Sequence, residues 1–74
     1  MSNPQIGDFV KAPQIESEYL SSFKEYKVLA RNDQGGFVIL DNNYDITHCQ
    51  LLQDKHLDEK DWTLIKKDEL HSQP

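Results

Sequence analysis

Between Lys24 and Cys49 the chain reads KEYKVLARNDQGGFVILDNNYDITHC, three short β-prone runs joined by two compact turns rich in Gly, Asn and Asp. Runs this short, bounded by residues that enter left-handed backbone cheaply, fold as antiparallel hairpins. Lys24–Arg31 places Tyr26, Val28 and Ala30 on one face of a strand and Glu25, Lys27, Leu29 and Arg31 on the other. In the Asn32–Gly36 turn, Gly35 and Gly36 supply positive φ without steric penalty. Phe37–Leu40 is apolar on both faces, which predicts a central strand. Asp41-Asn42-Asn43 forms the second turn, and Tyr44–Cys49 completes a three-stranded meander.

Flanking segments extend this meander into a complete small β domain. Gly7-Asp8 signals a turn, after which Phe9, Val10 and Ala12 read as a first strand that Pro13 ends by withholding a ladder N–H. Gln14–Phe23 carries Ile15, Tyr19, Leu20 and Phe23 with only partial helical spacing, which predicts a long loop containing a short helical turn. Past Cys49, a second helical turn is expected, with Leu51 or Leu52 plugging the core. Trp62–Lys66 reads as the closing strand and residues 67–74 as a polar tail, so that one domain spans 1–74 with an ordered core of about 6–66. A chain of 74 residues buries only about 60% of its unfolded surface, which leaves little room for an enclosed cofactor.

Strand, long loop, three-stranded meander, helical turn, strand: this order resembles small SH3-like β-barrels of five strands. Gly7-Asp8-Phe9-Val10, Tyr26-Lys27-Val28-Leu29, Gly36-Phe37-Val38-Ile39-Leu40 and Trp62-Thr63-Leu64-Ile65 carry the resemblance. Over Ile6–Lys66 the chain is similar to the small acidic SH3-like proteins encoded by bacteriophages and prophages. Proteins of that kind have no assigned function; the surplus of aromatic residues and the acidic balance lead to the expectation of an accessory or inhibitory protein that docks on a larger host or phage protein. Eukaryotic signalling SH3 domains line a proline-peptide groove with loop aromatics and a Trp-Trp pair. Here the long loop offers Tyr19, Glu16 and Glu18, and Trp62 is the single Trp, so that groove is not expected.

The net charge of −5, from 13 acidic and 8 basic residues, opposes phosphate-driven binding to nucleic acid or to an anionic membrane surface. A nucleic-acid role would require Lys24, Lys27, Arg31, Lys66 and Lys67 to gather on one face beside stacking aromatics. The N-terminus shows neither a basic segment nor an apolar run, and the single cysteine fits a reducing compartment, so a cytoplasmic location is expected.

No pattern of catalytic, cofactor or metal-ligating residues emerges, and no enzyme activity is expected. His48 and Cys49 are adjacent on a strand and point to opposite faces, so they do not converge with His56 on one ion. Asp41 and Asp45 bracket a turn, where carboxylates ordinarily accept backbone hydrogen bonds. The acidic stretch Asp54, Asp58, Glu59 and Asp61 reads as a solvated connection or a docking face. Three Phe, three Tyr and one Trp exceed what so narrow a barrel encloses. Alternation with Val10, Tyr26, Val28, Val38 and Leu40 inside would project Phe9, Phe37 and Tyr44 outward. The expected surface for a protein partner is therefore Phe9, Leu29, Phe37, Tyr44 and Trp62, with Asp58, Glu59 and Asp61. Self-association through an open sheet edge is the further expectation.

Overall fold

A computed structural model describes residues 4–33 and 35–65. It is mainly β: β1 (Phe9–Lys11), β2 (Glu25–Lys27), β3 (Ala30–Arg31), β4 (Phe37–Leu40), β5 (Ile46–Cys49) and β6 (Thr63–Ile65), with a 3-10 turn at Lys55–Leu57. The strands form two antiparallel three-stranded sheets, ordered β2-β1-β6 and β3-β4-β5. The expected tail 67–74, and Lys66 at the end of the expected last strand, lie outside the described residues.

The predicted single strand Lys24–Arg31 divides between the two sheets. Val28 still belongs to the first: its N–H donates to Asp8 O at 2.8 Å, and its own carbonyl accepts from Gly7 N–H at 3.0 Å. Leu29, the next residue, donates to Val38 O in the second sheet at 2.8 Å, although Ala30 is the register partner of Val38. Two residues against one is the count of a bulge, and a bulge lets a strand bend from one sheet into the other.

Both sheets turn one face onto a shared core. From the first come Val10 and Tyr26, which are register partners; from the second come Phe37, Ile39 and Cys49. Val28, Ala12, Leu20, Leu57 and Trp62 complete it. Trp62 holds the two sheets together, since its ring meets Tyr26 edge-on at 5.9 Å and Phe37 at 5.8 Å.

Four expectations are corrected here. Phe37 is fully buried rather than outward, and Leu40 is exposed rather than inward, because β4 enters its sheet with the opposite parity. An alternating pattern fixes which residues share a face but leaves open which face is inside when both are apolar. Leu57 plugs the core beneath the 3-10 turn, whereas Leu51 is only half-buried and Leu52 is exposed. The long loop 14–23 contains no helical turn; it is pinned by Ser22, whose hydroxyl donates to Ile15 O and accepts from Ile15 N–H, both at 2.8 Å. Tyr44 belongs to the turn before β5 rather than to the strand.

Candidate functional site

The surface most distinct in chemistry is the outer side of the β3-β4-β5 sheet. Because Phe37 and Ile39 on β4 and Thr47 and Cys49 on β5 point inward, Val38, Leu40, Ile46 and His48 point outward. Leu40 and Ile46 stand opposite one another in register and are 37% and 67% exposed. The next row is Ala30, Val38 and His48, in which Val38 is buried between its neighbours. No Asp, Glu, Lys or Arg interrupts these two rows.

Tyr44, on the β4–β5 turn that borders this surface, is 82% exposed. Asp41 builds that turn: its carboxylate accepts from Asn43 N–H at 2.8 Å, from Asp45 N–H at 3.0 Å and from the Thr47 hydroxyl at 3.4 Å. The Asp41 side chain thus has the structural role its position in the sequence implies. Closing the turn puts Tyr44 at φ 65°, a left-handed conformation that costs a non-glycine residue about 1–2 kcal/mol. Phe23 is exposed at φ 63° on the neighbouring long-loop turn. Asn42 ties the two turns together by donating its amide N–H to Ser21 Oγ and its backbone N–H to Tyr19 O, while accepting from Lys24 Nζ and the Tyr26 hydroxyl.

The residues expected at the surface therefore separate. Leu29 and Tyr44 are exposed, Phe9 is half-buried on the outer face of the first sheet, and Phe37 and Trp62 are core residues. Leu40 and Ile46 replace Phe37 and Trp62. Their exposure follows from the parity of β4 and β5, which the apolar run Phe37–Leu40 does not disclose.

The acidic stretch also divides. Asp54 is 1% exposed and lies at the centre of the β5–β6 connection. One carboxylate oxygen accepts from His56 N–H at 2.9 Å and caps the 3-10 turn; the other accepts from Gln50 N–H at 3.1 Å and from Trp62 Nε1–H at 2.7 Å. Asp58 and Glu59 are exposed on a tight turn closed by the bond from Lys60 N–H to Leu57 O, with φ 54° and 64° at the two central residues. Asp61, also exposed, accepts from Gln53 N–H at 2.9 Å.

Nucleophilic chemistry at Cys49 is disfavoured. Burial first, then the adjacent Asp54 carboxylate, push its thiol far above the ordinary range, so it stays protonated at neutral pH. His48 and His56 line an open recess with Gln50, Leu52, Gln53 and Lys55 beside β5. Among the described residues no three His, Cys, Asp or Glu side chains group as metal ligands. Of the basic residues a nucleic-acid role would call on, Lys27 pairs with Phe9 in the first sheet, Arg31 pairs with Phe37 in the second, and Lys24 donates to Asn42. Lys66 and Lys67 lie outside the described residues. No helix among the described residues is long and apolar enough to cross a membrane. The chain matches no protein-family model, no curated protein and no solved structure.

Proposed function

We propose that the chain is a non-enzymatic protein-interaction module built on a small SH3-like barrel, which docks on a larger protein through the outer face of β3-β4-β5. The reading takes β2 and β3 as one bent strand shared by the two sheets, so that five strands would make up the barrel. The observation that carries the docking reading is the Leu40–Ile46 pair, two directly opposed aliphatic side chains left in solvent on a face free of formal charge. Interfaces are depleted of charge at their centres, and Tyr is among their most energetic residues, which suits Tyr44 on the bordering turn. A free, buried thiol suits work in the cytoplasm. The reading extends to an accessory or inhibitory protein of phage or prophage type, with Asp58, Glu59 and Asp61 as an acidic margin that steers approach to a basic partner.

A photo-crosslinking side chain at Leu40, compared with one at Thr63 on the outer face of the first sheet, tests this in the native cytoplasm. Adducts to a different polypeptide are expected from position 40 and none from position 63. Equal labelling from both positions, or from neither, would overturn the docking face.

A further inference from the structure

Among the described residues, the outer side of β5 is an unguarded strand edge. β5 is the last strand of its sheet, and among the described residues it pairs with β4 alone. Asp41 N–H donates to Asp45 O at 3.0 Å, which fixes the alternation along the ladder. Ile39 with Thr47 and Phe37 with Cys49 are then the pairs that exchange hydrogen bonds, and Val38 O is free to accept from Leu29 N–H on the opposite side, as observed. Ile46 and His48 consequently direct their backbone N–H and C=O groups away from β4. At Gln50 the edge closes, since its N–H is taken by Asp54.

Exposed edges are ordinarily blunted by Lys, Pro or a charged side chain. The edge Ile46-Thr47-His48-Cys49 has none, whereas β2, at the edge of the other sheet, carries Glu25 and Lys27. Two copies of β5 placed antiparallel about a two-fold axis at Thr47 set Ile46 of each opposite His48 of the other. That register satisfies the outward backbone groups of both residues on both chains. Centring the axis on His48 would instead call on the occupied Gln50 N–H, and centring it on Ile46 would call on Tyr44, which is not extended.

Beyond the paired residues, this arrangement brings the turn that carries Tyr44 in one copy to the Gln50 end of the edge in the other. There the turn holding this exposed aromatic side chain in left-handed backbone meets the open recess lined by His48, Gln50, Leu52 and Lys55. The pairing would bring this exposed ring to the end of the partner edge that carries the recess.

We propose that β5 is a self-pairing edge through which two copies of this chain join their three-stranded sheets into one, with the Tyr44 turn of each copy seated at the recess of the other. The interface is small, of the size class below about 1,200 Å² that gives weak and reversible association. It does not depend on the docking reading: Leu40 lies outside the paired edge and stays exposed in the dimer.

Sedimentation equilibrium of the purified full chain across increasing concentration tests the pairing. The mass is expected to rise from 8.6 kDa towards twice that value. Ile46→Pro removes an outward N–H without touching the β4 ladder, and Ile46→Lys adds a guarding charge; both should hold the mass at 8.6 kDa. Tyr44→Asn, which suits the left-handed backbone and removes the ring, should weaken association at least tenfold with the fold retained. Ile46→Lys combined with His48→Glu should restore it, because only the two-fold register sets position 46 of one chain against position 48 of the other. A wild-type chain that stays monomeric at all concentrations overturns the proposal, as does a double variant no better than Ile46→Lys alone. A monomeric chain in which Ile46→Pro abolishes the Leu40 adducts would assign the edge to a strand of another protein and equally overturn self-pairing.

Discussion

Replacing Asp54 by alanine should lower stability by about 3–5 kcal/mol and leave much of the protein unfolded at 25 °C. Its carboxylate is the acceptor for three N–H groups, from Gln50, His56 and Trp62, at 2.7–3.1 Å. Truncation leaves these donors unsatisfied in a nearly dry site, and each buried orphan costs about 1–3 kcal/mol. The end of β5, the 3-10 turn and the Trp62 ring would lose their common anchor together. Asp54→Asn should be severe as well, since one amide position presents N–H groups to N–H donors. Urea unfolding followed by Trp62 fluorescence measures both. Asp58→Asn, which suits the left-handed backbone at this exposed position in the same acidic stretch, should stay within about 0.5 kcal/mol of wild type.

Phe37→Ala should cost about 3–5 kcal/mol by the same measurement. The ring is fully buried and packs edge-on against Trp62, with 77° between the planes, so its loss opens a cavity where the two sheets meet. The comparison with Phe23→Ala is decisive, because that ring is exposed on the long loop and its removal should shift stability by no more than about 0.5 kcal/mol. Similar values for the two substitutions would mean that the parity assigned to β4 is wrong. The surface reading of Leu40 and Ile46 would then fall with it.

The parts of this fold legible in the sequence are those with local causes. Turn residues at Gly7-Asp8, Asn32–Gly36 and Asp41–Asn43 bound the strands, Pro13 stops the first, and Phe37–Leu40 is a strand over its full expected length. Features requiring long-range geometry were not legible. The bend between Val28 and Leu29 moves Ala30 to the outer row with Val38 and His48 while Tyr26 and Val28 stay in the core, and nothing in the alternating sequence of Lys24–Arg31 marks it. A strand apolar on both faces, such as β4, does not say which face is inside, and the candidate surface inherits that ambiguity. Asp54 resembles its acidic neighbours in sequence; the Trp62 indole eight positions later, folding back onto it, turns it from a surface charge into a buried hub. The opposite facing of His48 and Cys49 was legible, because it follows from the period of two on one strand.

The outer face and open edge of β5 support both the docking surface and the self-pairing, and amide hydrogen exchange resolved by residue tests them most directly. In dilute solution the Thr47 and Cys49 amides, bonded to β4, should be protected, while the Ile46 and His48 amides should exchange quickly. As the concentration rises, protection should appear at Ile46 and His48. Strong protection of all four amides in dilute solution, or fast exchange at Thr47 and Cys49 with protection at Ile46 and His48, would contradict the account, because either pattern requires β5 to face the opposite way or its edge to be covered already.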